Sequence, residues 1–232
     1  MSGGSAQGRM AAAAVVTLLL TGCVAHGGGA RASGALPHTG AAASAAGHEL
    51  TATQAKAALL DAEDLPMHVD GTTTVSSMRT PRLHADDPAC GQRLDRAYAS
   101  AGRHRLAHFF RNFALGPSVG AVTEDVTVYD GSRVALTLAA GSVPLQRQCS
   151  RTTWDSEGHH IVAVVTQVTS LEDGYIARVS SSTDGGPATA LTEVMRVVGN
   201  CWVFIVGVGQ GVTPGEVQQV ASRAAAKMGT AT

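Results

Sequence analysis

The sequence predicts an α+β fold: an antiparallel sheet packed by N-terminal, middle and C-terminal helices. Three observations carry this. Four β-rich runs follow at short spacing in the C-terminal half, Ile161–Thr169, Tyr175–Ser181, Ala190–Val198 and Cys201–Val208, with Gly185-Gly186 and Gly199-Asn200 where turns belong. Helical patterns with capping signals stand near both ends of the folded part of the chain, at Thr51 and Thr213. Strands that are grouped, with helices set apart from them, make α+β rather than alternating α/β.

The chain opens with a targeting signal. Arg9 and the amino terminus give a positive start, and Met10–Leu20 is an apolar run of 11 residues. A spanning helix needs about 20 apolar residues, so this run has the length of a signal core instead. Leu20-Thr21-Gly22-Cys23 then resembles the lipobox of bacterial lipoproteins. Small residues admit the peptidase, and the Cys23 thiol takes the lipid. The expected organisation is a signal peptide at 1–22, lipidated Cys23 with a flexible linker to 48, and a folded domain at 49–229. The linker is small and polar with no apolar period, so it lacks the surface to bury.

Thr51 to Gln54 forms a capping box, with Ala55, Leu59 and Ala62 at helical spacing before Asp64-Leu65-Pro66 ends the helix. Thr72–Met78 is β-branched and reads as a strand. Asp86-Asp87-Pro88 opens a short helix through Cys90, Leu94 and Tyr98. Leu106–Phe113 and Ala121–Tyr129 read as strands, the second with Glu124 on the same parity as Val122, Val126 and Val128. Residues 132–148 fit two readings. Asp130-Gly131 signals a hairpin, while Val134, Leu138, Gly141 and Leu145 fit a helical stripe, with Pro144 able to split it into two short helices. Thr213 to Glu216 is a second capping box with proline at N1. It starts a helix that buries Val217, Val220, Ala221, Ala224 and Met228.

Composition narrows the function. The net charge is −1, and removal of the signal, which holds one base and no acid, leaves −2; nucleic-acid binders present a strongly basic surface. With Cys23 taken by lipid, Cys90, Cys149 and Cys201 remain. In an oxidising compartment an odd count gives one disulfide and one leftover thiol. No CxxC pair suggests a zinc or redox site.

The order of elements resembles a known family: the PknH-like extracellular sensor domain of actinobacterial Ser/Thr kinases, also carried by lipoproteins without a kinase. The resemblance covers roughly residues 49–229. It rests on ELTATQAKAALLDAEDLP, Cys90, VTEDVTVYD, the helical stretch ending at Cys149, Trp154, and the closing TALTEVMRVVGNCWVFIVGVGQGVTPGEVQQVASRAAAKM. It implies helix rather than hairpin for 132–148 and supports a Cys90–Cys149 disulfide; Cys201, which opens the apolar run CWVFIVGV, is then expected to be a buried free thiol. The family commonly has a second disulfide, which this chain cannot form. No kinase domain is present, so a signalling role needs a separate partner.

Candidate chemistry reads mostly as structure. Gly116-Pro117-Ser118-Val119-Gly120 matches GxSxG, but a nucleophile elbow needs a strand, a sharp turn and a helix, and here a strand follows. His159-His160, with Asp155 and Glu157 nearby, matches no metal-ligand spacing, and adjacent strand residues face opposite ways. Gly207, Gly209 and Gly211 lack phosphate-loop spacing. Arg103, His104, Arg105, His108 and Arg111 form a basic cluster, with the three arginines on one face if the segment is a strand. Trp154 and Trp202 read as core or groove anchors. The expectation is a membrane-anchored, extracytoplasmic ligand-binding or sensing lipoprotein of the cell envelope. It is expected to be non-catalytic, without metal or cofactor, and to bind an unknown envelope ligand or protein partner and no nucleic acid. The alternative is a carrier of a lipid or other apolar ligand; an exported esterase rests on Ser118 alone.

Overall fold

The computed structural model describes residues 48–75, 83–116, 119–156 and 158–231. The signal, Cys23, most of the linker, Ser118 and Glu157 lie outside them.

Eight strands form one antiparallel sheet in the order β1-β2-β3-β8-β7-β6-β5-β4. They are β1 Gly71–Val75, β2 Arg105–Ala114, β3 Ala121–Tyr129, β4 Arg151–Ser156, β5 His159–Leu171, β6 Gly174–Thr183, β7 Thr189–Val198 and β8 Cys201–Val208. Helices α1 (Ala52–Ala57) and α4 (Pro214–Thr230) cover one face; α2 (Pro88–His104) and α3 (Ser132–Gln148) cover the other. Chain neighbours β2–β3 and β5–β8 pair as hairpins, and β3 joins β8 to close the two halves into one sheet. The α+β architecture with N-terminal, middle and C-terminal helices is as the sequence predicts.

Each face has its own core. On the α1/α4 face, Val122, Val126, Val203 and Ile205 meet Val217, Val220, Ala221, Ala224 and Met228 of α4, the stripe expected from its spacing. On the α2/α3 face, Trp154, Tyr175, Met195, Trp202 and Phe204 meet Leu94, Ala97, Ala135, Leu138 and Leu145. Both tryptophans are 2% exposed, so both are core anchors. Strand β8 is buried on both faces, which explains its unbroken apolar run.

Several local details differ from the sequence reading, each for a tertiary reason. Helix α1 keeps its capping box but stops at Ala57 instead of reaching Ala62. The backbone beyond it finds side-chain partners: Glu124 accepts from Leu60 N–H at 2.8 Å, Arg111 donates to the Leu60 carbonyl, and Lys227 donates to the Leu59 carbonyl at 3.0 Å. Helix α2 runs to His104, well past Tyr98. Helix α3 is one continuous helix despite Pro144. Its N-terminus has no local side-chain cap; Glu49 accepts from Ser132 N–H at 2.9 Å, placing an anion at the positive end of the helix. Strand β4 has no counterpart in the sequence reading, and β5 begins at His159, so His159 and His160 open the strand expected from Ile161.

The disulfide joins Cys90 and Cys149 with Cα atoms 5.5 Å apart, tying the start of α2 to the end of α3. Cys201 is a free buried thiol, pushed up to about 12 by burial. Gly120 and Gly209 are required by close backbone approach. A Cβ on Gly120 would lie 1.9 Å from the Val208 carbonyl oxygen, and both glycines have positive φ, at 131° and 116°.

Candidate functional site

The sheet face beneath α2 and α3 is rich in buried polar groups. Register places them in rows. His108 and Thr127 pair across β2 and β3, as do Asn112 and Thr123. Thr123 is followed across the sheet by Val206 of β8, Glu193 of β7 and Ala177 of β6. His108 Nε2 and Asp125 Oδ1 are 2.8 Å apart, with side chains 10% and 4% exposed. Thr123 donates to Asn112 at 3.0 Å.

Glu193 stands apart within this face. It is 2% exposed, its Oε2 has no hydrogen-bond partner, and burial pushes its carboxyl up to about 8. Such a group is costly to bury unless something satisfies it. Diagonal to it on β6 is Tyr175, whose hydroxyl accepts from Gln146 Nε2 of α3 at 3.0 Å. Burial, with the Glu193 charge adding to it, keeps Tyr175 protonated well beyond its ordinary range. The other end of the Gln146 amide, Oε1, is buried and unpartnered, as are His108 Nδ1, Thr127 Oγ1, Tyr129 Oη and Trp154 Nε1 on the same side. Small residues, among them Ala97, Ala135, Ala139, Ala163 and Ala177, belong to the core on this face. The arrangement leaves hydrogen-bonding capacity unspent between helix and sheet.

The opposite face carries a different polar cluster, which is a fastening. Glu124 is buried and pushed up to about 8 by burial, against the Leu60 N–H, Arg111 and Lys227. Arg111 and Lys227 meet Asp61 at 2.8 and 3.0 Å, and Lys227 meets Asp64 at 2.6 Å. The Lys227 hydrogen bond is the chief reason Asp61 sits below the usual carboxylate range. These bonds clamp residues 59–64 to β2, β3 and α4.

The other sequence-singled residues separate. The basic cluster is broken up: Arg103 and His104 belong to α2, a bulge between Arg105 and Ala107 resets the parity of β2, and Arg111 points to the α1/α4 face while His108 points to the other. The expected alignment of Arg103, Arg105 and Arg111 is therefore absent. His160 pairs with Asp155 at 2.9 Å and His159 with Asp184 at 2.7 Å, two separate surface contacts. Among the described residues no cluster of three His, Cys, Asp or Glu could hold a metal ion. The GxSxG sequence lies between β2, which ends at Ala114, and its antiparallel partner β3, which begins at Ala121, so a strand and not a helix follows it. Among the described residues no helix is long and apolar enough to cross a membrane.

Sequence reasoning did not single out Glu193, Tyr175 or Gln146. The available signal is parity: Glu193 shares its strand face with Leu191, Met195 and Val197. A lone carboxyl inside an apolar alternation marks a buried ionisable group.

No family profile matches the chain, and no curated protein does. Among solved structures, the chain is similar to the crystal structure of the extracellular domain of PknH from Mycobacterium tuberculosis. That match has 17% identity and a TM-score of 0.58, and covers 78% of this chain and 97% of that one. A weaker similarity is to an uncharacterised protein, the Rv0999 ortholog from Mycobacterium smegmatis, at 11% identity and a TM-score of 0.38, covering 69% of this chain and 86% of that one. This chain has the fold of the PknH extracellular domain.

Proposed function

We propose that the chain is an extracytoplasmic, non-catalytic ligand-binding or sensing domain, tethered to the membrane through lipidated Cys23, with its binding site between α3 and the sheet. The observation that carries the reading is the pair of buried, unpartnered polar atoms on the α2/α3 face, Glu193 Oε2 and Gln146 Oε1, brought together through Tyr175. Buried polar atoms in folded proteins find partners, so a place that keeps unspent ones is where an outside molecule gains most by binding. The fold shared with a domain described as extracellular supports the placement outside the cytoplasm. The strand that follows Gly116–Gly120 supports a non-catalytic role, because the segment lacks the strand–turn–helix that presents a nucleophile.

The reading is tested by recovering the chain from its own cell envelope under mild conditions and weighing it by native mass spectrometry. A discrete extra mass that is lost on unfolding supports it. If that mass is an acyl lipid, the chain is a carrier instead. A homogeneous ligand-free mass from envelopes in which the chain is fully folded contradicts a binding role.

A further inference from the structure

We infer that Glu193, Tyr175 and Gln146 form the recognition end of the site and receive a primary ammonium group carried on an apolar stem. The inference rests on the binding face proposed above and specifies its ligand.

The hydrogen-bond inventory sets the chemistry. Gln146 has spent an N–H on Tyr175 and keeps its carbonyl oxygen unpartnered. Glu193 offers an unpartnered carboxyl oxygen. The hydroxyl of Tyr175 already accepts and retains one proton to give. The unspent capacity is thus mostly acceptor, with one member able to carry negative charge. An ammonium group brings up to three donors and no acceptor, and its charge complements the carboxylate. A carboxylate or phosphate ligand would meet two acceptors and, once Glu193 ionises, a like charge.

The surroundings set the stem. Val206 and Ala177 flank Glu193 across the sheet, and Leu191 and Met195 flank it along β7. Tyr175 and Phe204 pack edge to face beside it with ring centroids 6.4 Å apart. These groups suit methylene groups, and aromatic faces also attract a cation. No described basic side chain shifts the Glu193 carboxyl, burial being the cause at work. In this proposal the ligand's ammonium group supplies the positive partner when Glu193 ionises. Tyr175 is the titratable neighbour, and it stays protonated throughout the working range. Ionising a carboxyl of about 8 at pH 7 weakens binding by roughly tenfold, and that ionisation releases a proton that can be counted.

The experiment is an amide NMR titration of the mature domain at pH 7 with n-butylammonium and, separately, n-butanol. Calorimetry in two buffers of different ionisation enthalpy accompanies it. The expected result is a saturable shift of amides in α3, β6 and β7 with n-butylammonium, close to one proton released per ligand, and affinity for n-butanol at least tenfold weaker. Glu193→Gln should weaken n-butylammonium at least tenfold, while Glu124→Gln, a buried carboxyl on the opposite face, should leave it unchanged. Equal affinity for both probes, or binding that survives Glu193→Gln, overturns the ammonium class but leaves the binding face standing. No saturable shift with either probe also overturns it, and the native mass measurement then judges the face separately.

Discussion

Glu193 of β7 and Glu124 of β3 point to opposite faces of the sheet, and they pair with adjacent residues of β8, Val206 and Ile205. Burial pushes both to about 8, from an ordinary value of 4.5. The native state therefore holds protons that the unfolded chain has released. Below about pH 4.5 both states are protonated and neither group affects stability. Between 4.5 and 8 stability falls as pH rises, by about 1.4 kcal/mol per pH unit for each group, and above 8 the loss is complete. Glu193→Gln removes one contribution. Its melting temperature should match the parent at pH 4.5 and exceed it by several degrees at pH 8; parallel curves for the two proteins would contradict this assignment. Asn200 makes the opposite kind of contribution. Its side chain accepts from Leu50 N–H at 2.8 Å and donates to the Leu50 and Tyr129 carbonyls at 3.1 and 2.8 Å, all buried. Asn200→Ala strands three backbone groups and should destabilise by about 2–4 kcal/mol, read as a lower urea midpoint. A loss under 1 kcal/mol would mean that water replaces the amide.

The elements were legible where one periodicity ruled. Strands β5 to β8 and helix α4 announce themselves because alternation, turn residues and caps agree. Helix α1 was read too long because the sequence cannot show that Glu124, Arg111 and Lys227 compete for its last backbone groups. Strand β4 was missed because Arg151–Ser156 is short and mostly polar, with only Thr152 and Trp154 pointing inward. The basic cluster failed because one bulge in β2 flips everything after it. The clamp on α1 gives a prediction: Lys227→Met removes bonds to Leu59, Asp61 and Asp64. Hydrogen bonds to charged groups contribute about 1.5–3 kcal/mol, so residues 50–65 should exchange amide hydrogens markedly faster while α3 is unchanged. Uniform acceleration across the chain would show instead that the clamp supports the whole fold. The disulfide acts on the other layer. Closing a loop of 59 residues stabilises by about 4 kcal/mol in the chain-entropy model. Cys90→Ser should lower the melting temperature clearly, whereas Cys201→Ala, which removes a small buried thiol, should do less. The reverse order would contradict the structural weight given to α2–α3.

On the scale of the whole molecule, a two-faced sheet divides its duties. The α1/α4 face is an apolar core with one polar clamp, and that clamp holds the segment that follows the proposed tether. The α2/α3 face mixes core residues with unspent polar groups. The architecture was readable from strand grouping and caps, but the site was not, because pairing of β6 with β7 and the placement of α3 over them bring together Gln146, Tyr175 and Glu193, which are distant in sequence. The tether predicts that Cys23→Ala leaves the chain in the soluble fraction or unprocessed; mature-size mutant protein still in membranes would refute lipidation. The central claim is that the face between α3 and the sheet binds a ligand, and hydrogen–deuterium exchange of the mature domain, with and without a small-molecule extract of its envelope, tests it most directly. The account predicts protection concentrated in α3, β6 and β7, and its loss in Glu193→Gln. Protection confined to α1 and α4, or none anywhere with an extract that contains the ligand recovered by native mass spectrometry, would contradict it.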